Sequence, residues 1–283
     1  MNDMSNFVAA DVMLLSREAR RDIAAGLNAP QARWLVDYYY AIQDYRIQAA
    51  GQARAVDQEA DQGAAELVAH LSSNMTTLER EIQKALGEYA SSHPPGPWAM
   101  SVIGIGPVLA AGLLAHIDIA KAPTVGHIWR FAGYDPTVKW GKGEKRPWNA
   151  SLKVLCWKIG SSFVKQSGHK DCLYGHVYRQ RKAQEVARNE QLLFADQAAQ
   201  TLRERNIRDK DLKACYESGK LPDGRIDQRA RRYATKLFLS HLHHVWWETV
   251  YGEPPVKPYI LTQEGGHNRF IPPPNWPPDG DRP

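Results

Sequence analysis

Two glycines one residue apart, Gly104 and Gly106, stand immediately before Pro107 in the run from Pro97 to Ala115, PWAMSVIGIGPVLAAGLLA. Glycine tolerates positive φ and lets another chain approach its backbone closely. Proline suits the first turn of a helix, where its missing N–H would be unpaired anyway. A turn of this kind ahead of an Ala/Leu helix presents bare amides, and bare amides at a helix N-terminus can seat a phosphate. Gly104, Ile105 and Gly106 are therefore candidate contacts to a sugar-phosphate backbone, in the manner of a helix-hairpin-helix. Such a contact positions a nucleic acid without reading its sequence. A dinucleotide fingerprint or a P-loop is excluded, because there is no GxGxxG, no GK[ST] and no β-rich run ahead of the turn. The alternative is a helix-helix turn whose glycines serve packing alone.

A second constellation follows downstream. Lys139, Lys142, Lys145 and Arg146 alternate with Trp140, Trp148 and glycines. Cations on a flexible segment neutralise phosphates, and indoles among them stack on bases. Asn149 has the side chain to cap the helix that follows. With Lys153 it completes the candidate DNA-binding set. A solvated hairpin with its tryptophans turned inward is the competing reading.

Histidines offer less. His241 and His244 share one helix face and His243 and Trp247 another. No carboxylate or cysteine stands at ligand spacing, and His267 would have to be brought in by the fold, so core or edge histidines are expected rather than a metal site. Cys156, Cys172 and Cys215 are odd in number and widely spaced, which suits reduced thiols rather than a disulfide framework or a metal pair. No metal, no cofactor and no assignable catalytic residue is expected.

The elements that must position these residues read as helices. Trp34, Leu35, Tyr38, Ile42 and Tyr45 recur at helical steps within residues 15–60, with Asn28-Ala-Pro30 as a start. Leu71, Met75, Leu78, Ile82, Ala85 and Tyr89 step by fours and threes, the seam of a long hairpin or a dimerising coil. His93-Pro94-Pro95-Gly96-Pro97 stops it. Further helices are expected from near Thr124, from near Asn149, across 174–205 and across 227–251. The last carries Arg229, Arg231, Arg232 and Lys236 at the end where the helix dipole disfavours cations, which hints at a polyanionic partner. From Pro254 the chain is Pro-rich, an extended strap or loose terminus, with Tyr259, Phe270 and Trp276 favouring packing in its first part.

Composition sets the outer bounds. The chain has 283 residues, 43% hydrophobic and 24% charged, which excludes wholesale disorder and collagen-like sequence. No apolar run approaches the length of a bilayer span, and the acidic start lacks the form of a signal peptide, so a cytoplasmic protein without a membrane partner is expected. Charge is uneven: 8 basic residues face 13 acidic ones in 1–100, 14 face 6 in 101–190, and 14 face 12 in the remainder. The basic block coincides with the glycine turn and the Lys/Trp loop, as a polyanion-binding surface requires.

At this point a family resemblance becomes specific. The order GIGPVLAAGLLAHI, a helix ending RFAGYDP, a Lys/Gly-rich loop and NASLKVLCWKIG resembles the C-terminal domain of the DEDD-class insertion-sequence transposases. This is the insertion-sequence one-ten family, which includes the pilin-gene DNA invertases. Residues 64–165 follow the family's order of coiled segment, helix-hairpin-helix, turn, loop and Asn-headed helix. The resemblance implies DNA engagement through Gly104, Ile105, Gly106, the stretch Lys139 to Arg146, Asn149 and Lys153. It does not imply strand cleavage. The family's RuvC-like acidic domain has no counterpart in the sixty or so residues before the coiled segment. Its Ser-Gly pair is replaced by Pro136-Thr-Val-Lys-Trp140-Gly141, and neither Thr137 nor Ser151 stands at the serine's place or has an assigned base.

The expectation is a mainly α protein: a helical hairpin over 1–96, a helix-hairpin-helix module over 97–165, a helical arm over 166–253 and a Pro-rich tail over 254–283. It would be a transposase-related protein of a mobile element or phage that grips double-stranded DNA and pairs copies through the helical N-terminal region. Two alternatives stand beside it: an active recombinase with an unrecognised nucleophile or a partner's catalytic half, and an accessory subunit that binds structured RNA.

Overall fold

The computed structural model describes residues 16–57, 62–141, 143–256 and 270–277. Among them there are eleven α-helices, one 3-10 turn and no strand, so the fold is mainly α. Lys142, Tyr259 and His267 lie outside the described residues. No helix among the described residues is long and apolar enough to cross a membrane. The chain divides into two compact units, Met1–His93 and Pro94–Pro283.

The first unit contains α1 (Arg17–Ala25), α2 (Ala29–Asp57) and α3 (Gln62–Ser91), with α1 and α2 both packed on α3. Asn28 starts α2 by a reciprocal cap: its Oδ1 accepts from the Gln31 amide at 3.0 Å while Gln31 Oε1 accepts from the Asn28 amide at 2.9 Å. The buried line of α2 is Ala32, Val36 and Ile42, whereas Trp34, Tyr38 and Tyr45 are exposed. On α3, Leu86 and Tyr89 are buried while Leu71 and Leu78 are exposed. The aromatic stripe of α2 and the upper part of the α3 seam thus do not form the hairpin's interior. Small and β-branched residues let two long helices approach closely, and an Arg46–Glu79 ion pair occupies the contact further along.

The second unit holds α4 (Gly96–Ser101), α5 (Pro107–His116), a 3-10 turn (Ile119–Lys121), α6 (Val125–Phe131), α7 (Ala150–Lys165), α8 (Leu173–Glu190), α9 (Ala195–Glu204), α10 (Lys210–Glu217) and α11 (Asp223–Tyr251). The residues expected as module, arm and tail share one unit here, because α11 packs on α6, α7 and α8 together. Phe238 of α11 is the centre of the core, with Trp98, Phe163 and Tyr174 at ring distances of 6.0, 5.6 and 5.3 Å. Two α7 contacts depend on absent side chains. A Cβ on Gly112 would stand 2.8 Å from Leu155, and one on Gly160 would stand 2.9 Å from Thr235 Oγ1. The helix expected over 174–205 is broken at Leu192, whose φ is +55°, between α8 and α9. A smaller cluster of Phe194, Ala198, Tyr216, Leu221 and Ile226 closes the α9–α10 end.

The described part of the tail is a docked strap. The Trp98 indole donates to the Pro274 carbonyl at 2.7 Å, the Trp276 indole to Glu248 at 2.8 Å, and Asn275 to the Ser101 carbonyl at 3.1 Å. His241 is buried beneath it, Nε2 donating to the Ile271 carbonyl at 2.8 Å and Nδ1 accepting from the Tyr174 hydroxyl at 2.7 Å. Burial pushes its pKa down to about 4, so the neutral ring is the folded form. His243 is likewise buried and donates to the Ala122 carbonyl at 2.8 Å. Both histidines are structural.

Candidate nucleic-acid interface

The glycine turn forms as its residue types require. Gly104 has a φ of +97°, and its carbonyl accepts from Ser162 Oγ at 2.6 Å. A Cβ there would meet Ser162 Oγ at 3.2 Å and Phe163 at 3.3 Å, so this glycine also seats the turn against the end of α7. The side chain of Ile105 is buried in the core and its amide donates to the Val102 carbonyl at 2.9 Å, so Ile105 does not offer the bare amide expected of it. Gly106 is exposed with open space before it, and caps α5 without a side-chain hydrogen bond, with Pro107 at the first position.

The basic residues gather elsewhere. Asn149 caps α7, its Oδ1 accepting from the Leu152 amide at 2.8 Å, while its own amide donates to the Phe131 carbonyl at 2.9 Å. This fixes the end of the loop against α6 and brings Lys153, on the first turn of α7, over the Trp148 ring at 4.0 Å. Arg146 lies 5.4 Å from the Trp140 ring, and Trp140 meets Trp148 edge-on at 6.0 Å. Gly133 is the floor of this seat: its φ is +69°, and a Cβ would stand 2.9 Å from Trp148 and 3.0 Å from Lys153. Lys139 and Lys145 are exposed on the loop. The Glu144 carboxylate closes the loop on itself by accepting from the Gly141 amide at 2.9 Å.

Two further cations come from α11. Arg232 lies 4.8 Å from the Tyr134 ring and donates to the Gly133 carbonyl at 3.5 Å. Lys236 sits 4.0 Å over Trp129, whose indole donates to the Lys236 carbonyl at 3.2 Å. Among the described residues no carboxylate lies within ion-pair distance of Arg146, Lys153, Arg232 or Lys236. Aromatic faces hold all four instead. The crowding has an electrostatic signature. Burial, then Arg232 and Arg146, push the Lys153 pKa below the ordinary lysine value. Burial and Arg232 do the same to Lys236, with Asp135 opposing. Asp135 is itself held below the usual carboxylate range, chiefly by the Thr137 hydroxyl and amide, which donate to it at 2.7 and 2.9 Å. A carboxylate held that low is a poor base for Thr137. Ser151 is exposed on the first turn of α7.

The structure therefore joins Arg146, Asn149 and Lys153 with Arg232 and Lys236, and leaves Gly104 to Gly106 apart. Ser162, beneath the glycine turn, is nine residues beyond Lys153, about 13 Å along the helix axis. Arg232 and Lys236 are visible in the sequence as basic residues of the last helix, but no local spacing connects them with a loop some ninety residues earlier. Arg229 and Arg231, equally basic, turn instead to the carboxylates of Glu185 and Asp227. Compared with protein-family models, with curated proteins and with solved structures, the chain matches nothing.

Proposed function

We propose that the second unit binds DNA through its phosphate backbone, as a transposase-related protein of a mobile element or phage. The observation that carries this reading is the gathering of Arg146, Lys153, Arg232 and Lys236 on aromatic rings, with no carboxylate of the described residues in ion-pair distance. Like charges held together, partly desolvated and mutually destabilised, gain from an anion that shares them. Phosphodiesters supply one charge per residue of strand and release counterions when neutralised. The open amides at Gly106 and the head of α5 would give a second phosphate contact on the other end of α7. The order of motifs across 64–165 supplies the biological setting.

Salt-titrated binding to a duplex of arbitrary sequence tests the reading. Binding is expected to weaken steeply with salt. Arg146→Gln, Lys153→Gln and Arg232→Gln together should lower the log–log salt slope by roughly 2 to 3, about one per lost phosphate contact. The same charge removed at Lys121, Arg203 and Lys213 should leave most of the slope in place. A slope near zero in the parent protein overturns the proposal. The same samples with Mg²⁺ on a denaturing gel report on chemistry, and nicked or covalently attached DNA would favour the recombinase reading instead.

A further inference from the structure

The corner that holds the cations also leaves apolar side chains exposed. On α7, Val154 and Trp157 are 54% and 51% exposed, and Trp157 stands one turn beyond Lys153 on the same side of the helix. Across the loop Trp140 is 40% exposed, and Phe131, whose carbonyl accepts from the Asn149 amide, is 43% exposed. A single exposed hydrophobic residue needs no explanation. Three exposed rings beside a cluster of cations that make no ion pair among the described residues do.

The rings divide by role. Trp148, Trp129 and Tyr134 are half-buried or buried and serve as seats for Lys153, Lys236 and Arg232. Trp157 is a seat for no cation among the described residues. Trp140 seats Arg146 and is fixed in place by its indole, which donates to the Glu144 carbonyl at 2.7 Å, and by an edge-on contact with Trp148, yet it stays 40% exposed. A pre-positioned ring at a charged surface loses little freedom when a flat partner lies on it.

A duplex cannot use such rings, because its bases are stacked on one another and offer only their edges in the grooves. An unpaired strand offers base faces and phosphates alternately, matching rings interleaved with cations. We propose that this corner takes unpaired DNA bases on Trp157 and Trp140 while Arg146, Lys153 and Arg232 hold the adjoining phosphates. The preferred ligand is then a duplex with a single-stranded extension rather than a blunt one. The inference rests on the backbone-binding reading above and narrows it.

The test compares a blunt duplex with the same duplex carrying a single-stranded extension, across a salt series, for the parent protein, Trp157→Ala and Trp157→Phe. The extension should tighten binding by about tenfold or more, since each base on a ring contributes on that order and two rings are offered. Trp157→Ala should remove a large part of the gain, leaving only the share that Trp140 supplies, with blunt-duplex affinity and the salt slope of both ligands unchanged, and Trp157→Phe should keep most of it. Trp157 is exposed, so neither variant endangers the fold. Equal affinity for both ligands in the parent protein overturns this inference and leaves backbone binding intact. Equal loss on both ligands in Trp157→Ala also overturns it. Absence of salt-sensitive binding to either ligand removes the backbone reading and this inference with it.

Discussion

Helix α11 carries basic residues on two flanks, and the flanks treat them in opposite ways. Toward α8, Arg229 pairs with Glu185 at 2.6 Å, Glu185 also forms ion pairs with Arg181 and Arg188 at 2.5 and 3.6 Å, and Arg231 pairs with Asp227 one turn earlier on α11. Asp227 receives the Tyr178 hydroxyl and Lys182 as well. Burial raises its pKa, but these donors outweigh it and hold the carboxyl below its ordinary value. Toward α6 and α7, Arg232 and Lys236 rest on rings beside further cations, and Asp135 acts on Lys236 without an ion pair between them among the described residues. Arg231 and Arg232 are adjacent in sequence and belong to different electrostatic worlds. A tally of basic residues therefore says little about a polyanion partner. What matters is which cations the fold leaves without a carboxylate.

The α8 flank is where a single change should cost most. Glu185 is 0% exposed, and its three arginine partners are 20%, 43% and 34% exposed at the side chain. Replacing Glu185 by Ala strands that positive charge, which costs 3–5 kcal/mol for a fully buried pair; partial solvent access of the arginines places the expectation at about 3 kcal/mol. Urea unfolding measures it. The α6–α7 flank is untouched, so the DNA salt slope of the folded variant should not fall, and the arginines freed from Glu185 can only add to it. Parent-like stability would mean that the flank does not depend on charge compensation, and the contrast between the two sides would fail.

Much of the helical framework is legible in the sequence because its signals are local. Asn28, Thr124 and Asn149 stand before helices, and the His93 to Pro97 run ends one. What sequence does not carry is the partner. Trp34, Tyr38 and Tyr45 have helical spacing and aromatic bulk, yet the hairpin buries Ala32, Val36 and Ile42, because the closeness of two long helices selects size as well as hydropathy. The αL conformation of Leu192 has no glycine or asparagine to announce it. In the candidate site, Lys145, Arg146, Asn149 and Lys153 are legible as one cluster since they are near in sequence. Arg232 and Lys236 join them only through the packing of α11 on α6 and α7. The glycine turn is legible as a turn but not as a feature of the opposite end of α7.

A matched pair of glycine substitutions sharpens the contrast from the cation side. Gly133 and Gly143 both have positive φ, +69° and +92°, so Ala at either position carries a backbone cost of at least about 1–2 kcal/mol, no smaller at Gly143, which lies further from the left-handed well. A Cβ at Gly143 meets nothing within 4 Å, whereas one at Gly133 collides with the Trp148 and Lys153 side chains. Gly133→Ala should therefore lower thermal stability more than Gly143→Ala and also weaken DNA binding, since it displaces Lys153 from its ring. Equal effects of the two on binding would show that the Trp148 seat does not position the lysine.

The smallest effect is a protonic one. In the free protein burial, Arg232 and Arg146 hold the Lys153 pKa below the ordinary 10.5. Between that depressed value and 10.5 the folded chain binds fewer protons than the unfolded one, so this lysine makes stability rise with pH through the window and costs stability below it. A phosphate beside Lys153 reverses the bias by favouring the charged ammonium and raising its pKa again. DNA binding should then take up a fraction of a proton within that window and progressively less as pH falls below it, and affinity should decline as pH rises through the window. Calorimetric titrations in two buffers of different ionisation enthalpy read the uptake directly. Lys153→Arg keeps the cation but removes its titration, so it should retain affinity and lose part of the uptake, the remainder coming from Lys236. Arg232→Gln should also reduce the uptake, by relieving the repulsion that depresses Lys153 in the free protein. If uptake is the same in all three proteins, the bound phosphate does not face this lysine, and the cations of the α6–α7 flank are held by rings for the sake of the fold alone.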